Sequence, residues 1–154
     1  MTSLASEGHV VLRARSDWQR FLANRAMYDA VYDWHTLEGP SVYRHAGCYY
    51  CFYSGGRWET EGYGVDYGVA ASVLGPYSDE GSENGPRVLR TVPGKVLGPG
   101  HNSVVLGPDG VTPYIVYHAW DPAHTARRLC IDRLDFTPEG PRSPGPTTTP
   151  QPIP

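Results

Sequence analysis

The chain has 154 residues, of which 40% are hydrophobic and 19% charged, a composition that is sufficient for one domain with its own core and that excludes an intrinsically disordered chain. Its net charge is −3 and its Lys and Arg residues form no run, so we expect neither nucleic acid nor an anionic membrane as a partner. No apolar run approaches the roughly 20 residues that a membrane-spanning helix needs.

Short stretches rich in β-branched and aromatic residues alternate with glycine- and proline-containing turns, which predicts an all-β fold. The predicted strands are Val10–Arg13, Ser41–Arg44, Tyr49–Ser54, Val65–Val73, Arg87–Arg90, Ser103–Leu106, Tyr114–Ala119 and Arg128–Leu134. The best helix candidate, Asp17–Met27, is short and has a weak period. Residues 137–154 include seven prolines, and this composition predicts a disordered tail.

The strand pattern repeats at an offset of about 62 to 65 residues. Gly39-Pro40 precedes the strand that begins at Tyr49, and Gly98-Pro99 precedes the strand that begins at Tyr114. A fixed period with about four strands per unit is typical of β-propeller blades. We therefore predict blade-like repeats at about 40–91 and 101–136, preceded by the end of another blade, in a domain that spans 1–136. Two similar hairpins of a β-sandwich are the alternative.

Two polar side chains precede the inner strands of these repeats. Glu38 stands between Leu37 and Gly39-Pro40, where partial desolvation favours a protonated carboxylic acid that can protonate a leaving-group oxygen. His101 has the equivalent position one repeat later, so both side chains are predicted to converge on the propeller axis. A loop glutamate and a hydrogen-bonded histidine without a catalytic task are the alternatives.

Aromatic and cationic side chains are the candidates for carbohydrate contacts, because aromatic faces suit the C–H face of a sugar ring. Trp34, Trp58 and Trp120 are predicted to lie in loops and to contact a sugar. Arg127 or Arg128 could reach a sugar hydroxyl or form a solvated pair, and the sequence does not choose between them.

The three cysteines are predicted to be inert thiols. No P-loop, G-x-S-x-G or H-E-x-x-H motif supports phosphoryl transfer, serine hydrolysis or zinc proteolysis.

An ordered set of motifs resembles glycoside hydrolase family 43, the arabinanase, arabinofuranosidase and β-xylosidase group. The set runs from about Trp18 to Phe136 and comprises Glu38-Gly-Pro40, Gly47–Ser54, Tyr67–Ser72, Leu74–Tyr77, Gly98–Val104, Val116–Ala119 and Arg128–Asp132. The resemblance implies a five-bladed β-propeller, of which this chain holds about two to two and a half blades, and an inverting mechanism.

The resemblance also implies roles for individual residues. Glu38 matches the general acid, and His101 matches a histidine near an axial cation, Ca²⁺ or another ion, and the waters around that cation; no organic cofactor is implied. Arg127 or Arg128 matches an active-site arginine. The general-base aspartate and the aspartate that orients the acid are expected to precede this chain, so we expect the chain alone to have little or no activity.

These observations favour part of an inverting glycosidase that acts on arabinose- or xylose-containing polysaccharides or oligosaccharides. A non-catalytic carbohydrate-binding module is one alternative, and a structural repeat protein that associates with itself through open blade edges is another. Residues 1–8 lack the apolar segment of a signal peptide. This indicates the cytoplasm by default and leaves secretion open for a chain truncated at its N-terminus.

Overall fold

The computed structural model describes residues 7–152 and residue 154, and this part of the chain is all-β. Its strands are β1 (Arg20–Met27), β2 (Ala30–His35), β3 (Leu37–His45), β4 (Cys48–Gly55), β5 (Gly64–Ala70), β6 (Leu97–Leu106), β7 (Pro113–Trp120), β8 (Arg127–Arg133), β9 (Asp135–Thr137) and β10 (Gly140–Arg142). Two single-turn 3-10 helices lie at Asp17–Gln19 and Ser82–Asn84. Across the described residues, no helix has the length and apolarity to cross a membrane.

Two antiparallel three-stranded sheets organise the structure. The first sheet has the order β3-β4-β5 and the second sheet has the order β6-β7-β8. In the first sheet Tyr50 of β4 is opposite Tyr43 of β3 and Val69 of β5. An isolated bridge between Val65 and Leu89 extends this sheet at its outer edge. The predicted strand Arg87–Arg90 is thus reduced to a single bridge, because Gly85-Pro86 directly before it limits the ladder.

The core lies between the two sheets. Phe52 and Val65 of the first sheet, Leu89 of the bridge, and Ile115 and Tyr117 of the second sheet are fully or almost fully buried in one cluster. Burial of each such side chain contributes about 1.5–3 kcal/mol relative to exposure. The sheets are therefore held face to face mainly by apolar packing.

Hydroxyl groups of β3 and β4 fix the position of the inner strand β6 against the first sheet. The Ser41 Oγ accepts a hydrogen bond from the Val104 amide at 3.1 Å, and the Ser54 Oγ accepts one from the His101 amide at 2.7 Å. Because these bonds engage backbone donors of the other sheet, the start of β6 is placed beside the start of β3. The side chains at both strand starts consequently lie close together.

The predicted helix Asp17–Met27 is wrong. After a single 3-10 turn the chain enters β1, which pairs with β2 in a hairpin whose turn residues Tyr28 and Asp29 have φ of 51° and 64°. The hairpin is closed at its base where the Thr36 amide donates to the Gln19 carbonyl at 2.9 Å. Cross-strand pairing is more favourable here than a helix with a weak apolar period, because tertiary contacts routinely override intrinsic helix propensity.

The predicted strand Val10–Arg13 is also wrong, since the segment has no ladder partner among the described residues. Val11 and Leu12 instead pack against a second apolar cluster formed by Cys51, Ala70 and Tyr77. Val11 and Leu12 are therefore partly buried without forming a strand.

The prediction of a disordered tail is wrong for the described residues of 137–154. Gly140–Arg142 forms β10, which pairs with β9. The Thr147 hydroxyl and amide both donate to the Asp132 carboxylate, at 2.6 Å and 3.2 Å, and the Tyr114 hydroxyl donates to the Pro152 carbonyl at 2.7 Å. Prolines cannot donate hydrogen bonds, but their carbonyls still accept them and the intervening threonines still donate.

Candidate functional site

Glu38 lies at the start of β3, where a register shift interrupts the pairing with β4 between Glu38 and Ser41. The next residue, Gly39, has φ of +58°. A Cβ at this position would lie 3.1 Å from the His101 Cα. Glycine is therefore required here for two reasons, the left-handed backbone and the close approach of the second sheet.

The Glu38 carboxylate is held by a phenol. The Tyr63 hydroxyl donates to the Glu38 Oε1 at 2.7 Å, and Tyr63 itself is buried with 1% exposure. Burial and the neighbouring carboxylate both raise the pKa of Tyr63 above its ordinary value. Tyr63 therefore remains a protonated donor near neutral pH, while Glu38 is only half-buried.

The two histidines of the second sheet stand beside this pair. The rings of His101 and His118 are 5.9 Å apart and nearly parallel, and the Tyr63 ring is parallel to the His118 ring at 6.3 Å. Burial lowers the pKa of His118, helped by Arg127 and His101, while Glu38 opposes this effect. A neutral His118 is therefore favoured near pH 7.

The tautomer of His118 follows from its neighbour. The His118 Nε2 lies 3.3 Å from the Arg127 Nη1. Since a guanidinium can only donate, Nε2 is the acceptor and the neutral ring carries its proton on Nδ1. Within the described residues Nδ1 is buried without a hydrogen-bond partner.

Trp58 and Trp120 form a stacked pair at the rim of the site. Their ring centroids are 6.1 Å apart at an interplanar angle of 17°, and the Trp120 indole donates to the Trp58 carbonyl at 3.0 Å. The guanidinium of Arg127 lies 4.8 Å from the Trp58 ring centroid. Trp58 is in the loop after β4, as predicted, whereas Trp120 ends β7 and the prediction of a loop position is wrong for it.

Arg127 and Arg128 point in opposite directions, because consecutive strand residues alternate between the two faces of a sheet. Arg127 contacts His118 and the tryptophan pair. Arg128 is directed to Asp121, whose carboxylate lies 3.3 Å away. The structure thus brings Arg127, and not Arg128, to the site.

Trp34 is not in a loop either, and the prediction that placed it there is wrong. It lies in β2, where its ring packs against Phe21 at 4.8 Å and under the Arg25 guanidinium at 3.5 Å. These contacts stay within the β1–β2 hairpin. A ring that its own hairpin covers in this way is a poor platform for a sugar.

The described side chains do not fit an axial cation bound directly by the protein. Ca²⁺ takes about six to eight oxygen ligands, and in the described part of the chain no three His, Cys, Asp or Glu side chains gather at one point. Asn102, next to His101, is buried with its amide atoms unpaired. Its side chain is buried, however, whereas His101 is exposed, and no described contact joins the two side chains.

Sequence reasoning missed Tyr63 and His118 as site residues. His118 could have been found by strand alternation, because it lies two residues before Trp120 on the same face of β7. Tyr63 gave no such signal, since it follows a loop and directly precedes β5. The cysteines agree with the predicted inert thiols: all three are free, and burial raises the pKa of Cys51 and of Cys130.

Comparisons with known proteins bear directly on this arrangement. The family described as "Glycosyl hydrolases family 43" matches residues 5–141. A β-D-galactofuranosidase of Aspergillus niger is 38% identical over 107 residues, which are 68% of this chain and 30% of that protein.

Solved structures give the same result. A thermostable family-43 glycoside hydrolase is 33% identical, with a TM-score of 0.78 over 99% of this chain and 46% of that chain. An α-L-arabinanase of Cellvibrio cellulosa in complex with arabinohexaose is 28% identical, with a TM-score of 0.62 over 80% of this chain and 42% of that one. The predicted all-β fold, part of a five-bladed propeller, is confirmed. The chain spans less than half of the length of each of these relatives.

Proposed function

We propose, since the chain belongs to glycosyl hydrolases family 43, that it carries the acid catalyst of an inverting glycosidase and that this acid is Glu38. The observation that supports the proposal is the half-buried Glu38 at the start of an inner strand, with one carboxyl oxygen bound by Tyr63 and with His118 and Arg127 beside it. A carboxylic acid in this position can protonate the glycosidic oxygen while the bond to the anomeric carbon breaks.

The substrate that we propose is an arabinose- or xylose-containing polysaccharide or oligosaccharide. The likeness to an α-L-arabinanase supports arabinose. The likeness to a β-D-galactofuranosidase adds galactofuranosides as a second substrate class to be tested. Arg127, Trp58 and Trp120 are the proposed sugar contacts, because a stacked aromatic pair beside a guanidinium offers both an apolar face and hydrogen-bond donors.

Inversion also needs a base that activates a water on the opposite face of the sugar, about 6.5–9.5 Å from the acid. The resemblance implies that this base is an aspartate outside the matched residues, and the chain spans 30% of the galactofuranosidase and 46% of the thermostable family-43 hydrolase. We therefore propose that the chain by itself hydrolyses glycosides very slowly. General bases contribute about 10²- to 10⁴-fold.

Azide tests the acid separately from the base, because azide is a nucleophile that needs no deprotonation. It forms the bond to the anomeric carbon as the bond to the leaving oxygen breaks, and Glu38 gives its proton to that oxygen. With arabinobiose or methyl α-L-arabinofuranoside, we expect azide to increase turnover by the chain and to form a glycosyl azide of inverted configuration. We expect Glu38→Gln to lower this turnover by about 10²- to 10⁴-fold. Equal turnover by both proteins would refute Glu38 as the acid.

A non-catalytic carbohydrate-binding module is the second candidate, which the Trp58–Trp120 stack favours. It predicts that arabino-oligosaccharides bind to the chain and that azide gives no product with the chain or with Glu38→Gln.

Self-association through open sheet edges stays a prediction. Leu129 on β8 is 82% exposed, and size-exclusion chromatography of the chain beside Leu129→Glu tests whether this edge joins copies.

A further inference from the structure

We propose that Tyr63 is a positioning residue for Glu38. The Tyr63 hydroxyl holds the Oε1 of Glu38, so that the transferable proton is carried by Oε2. This inference rests on the proposed role of Glu38 as the acid. A carboxylic acid has one protonated oxygen, and an oxygen that already accepts a hydrogen bond from a phenol is the less favourable place for that proton. The 2.7 Å bond from the Tyr63 hydroxyl to Oε1 therefore directs the proton to the other oxygen.

The Tyr63 ring is fixed from several sides, so the direction of its hydroxyl is well defined. The side chain is 1% exposed and its ring stacks in parallel with His118. At Gly100 of β6 an added Cβ would overlap the Tyr63 ring. At Gly98 an added Cβ would lie 3.5 Å from the Tyr63 Cβ and closer still to a backbone carbonyl.

This packing gives a physical account of the Gly98-Pro99-Gly100 motif. Gly100 leaves the space that the Tyr63 ring fills, and Tyr63, directly before β5, in turn reaches Glu38 at the start of β3 in the same sheet. Gly39, in the corresponding motif one sheet earlier, leaves the space for His101. Both glycine motifs therefore serve the same end, which is close packing of the two strand starts around the acid.

The phenol is also suited to be a permanent donor. Burial and Glu38 raise the pKa of Tyr63, while Ser54 and Arg127 oppose this effect. The groups that face the phenol are therefore Glu38, Ser54, Arg127 and the neighbouring His118 ring. A donor that keeps its proton cannot exchange roles with the acid, so the proton that reaches the substrate comes from Glu38.

The test is ¹³C NMR of the chain labelled at its Glu and Asp carboxyl carbons and its Tyr ring carbons. The Glu38 signal is identified by its loss in Glu38→Gln. In Tyr63→Phe we expect the Glu38 carboxyl resonance at pH 7 to move away from its wild-type position. Reciprocally, the Tyr63 Cζ resonance is expected to move in Glu38→Gln. Gly100→Ala, which displaces the ring but keeps the hydroxyl, is expected to move the Glu38 resonance as well.

Tyr117→Phe is the matched control, since the Tyr117 hydroxyl donates to Asp132 at 2.6 Å in an equivalent phenol–carboxylate pair elsewhere in the fold. It should move the Asp132 resonance and leave Glu38 unchanged. An unchanged Glu38 resonance in a folded Tyr63→Phe protein would overturn the proposal. So would equal movement of Glu38 in Tyr117→Phe.

The azide reaction then separates positioning from general structure. In Tyr63→Phe we expect turnover of methyl α-L-arabinofuranoside to fall about tenfold, the value of one hydrogen bond. Turnover of the dinitrophenyl arabinofuranoside should stay within about twofold, because a good leaving group needs little protonation. Equal losses on both substrates would contradict the positioning role. The NMR result does not depend on turnover, so failure of the proposed function and failure of this inference remain distinguishable.

Discussion

Two phenol–carboxylate pairs in this molecule have the same chemistry and different surroundings. Tyr63 donates to Glu38 at 2.7 Å, and Tyr117 donates to Asp132 at 2.6 Å. Asp132 is fully buried, and its oxygens also accept bonds from the hydroxyl and the amide of Thr147. Glu38 is half-buried and its described hydrogen bond involves Oε1 alone.

We propose that this difference separates a structural carboxylate, Asp132, from the reactive one, Glu38. A carboxylate whose oxygens are all engaged stabilises the packing around it and has nothing to offer a ligand. A carboxylate that is oriented through one oxygen keeps the other available. The surroundings of a carboxylate, as well as its chemical identity, therefore decide whether one of its oxygens is free to contact a ligand.

The largest effect that we expect is on the reactive pair. Glu38→Gln should lower azide-dependent turnover of methyl α-L-arabinofuranoside by about 10²- to 10⁴-fold, since the acid is lost. Its free energy of unfolding should change by less than about 0.5 kcal/mol, because the Gln amide oxygen can still accept the hydrogen bond from Tyr63. Product formation and urea denaturation check the two quantities. A large loss of stability with retained turnover would mean that Glu38 is a structural carboxylate and not the acid.

The structural pair should behave in the opposite way. Asp132→Ala leaves the buried Tyr117 hydroxyl and the half-buried Thr147 hydroxyl without their acceptor, so we expect the free energy of unfolding to fall by about 3 kcal/mol. Asp132→Asn keeps an acceptor and should lose less. Urea denaturation of both variants beside the wild type measures this. If Asp132→Ala were as stable as the wild type, the pair would not hold the tail in place.

The adjacent arginines extend the same contrast to ligand binding. Arg127→Ala removes the group between His118 and the tryptophan pair, and we expect the affinity for arabino-oligosaccharides to fall about fivefold, in line with one cation–π or hydrogen-bond contact. Arg128→Ala is the control and should remain within about twofold. Isothermal titration calorimetry measures both. Equal losses of affinity in the two variants would mean that Arg127 contacts the oligosaccharide no more than Arg128 does.

The smallest effect concerns pH. Burial lowers the pKa of His118 in the folded chain relative to the unfolded chain. The neutral form is therefore favoured by folding, and its contribution to stability is present above the unfolded pKa and is lost as pH falls through the folded pKa. We expect His118→Gln to lose less stability than the wild type between pH 7 and pH 5. If both proteins lost the same amount of stability between pH 7 and pH 5, His118 would not contribute to the pH dependence of folding.

Some of the site was predictable because the chain repeats itself. Glu38 and His101 are related by the repeat, and the structure places both at strand starts on facing sheets. Tyr63 was not predictable, because its position depends on a cavity that Gly100 leaves in a strand 37 residues later. The helix Asp17–Met27 was mispredicted because a local period carries no information about the hairpin partner Ala30–His35.

The sequence by itself determined the all-β class and the alternation of strands and turns, whereas Glu38 as the acid is a prediction from the family resemblance. The fold class follows from local patterns, which act between residues that are near in the chain. Only the tertiary structure decided that Arg127 rather than Arg128 faces the site, that Tyr63 holds Glu38, and that the tail is packed against Asp132. Each of these depends on contacts between residues far apart in the chain, which packing of the two sheets creates.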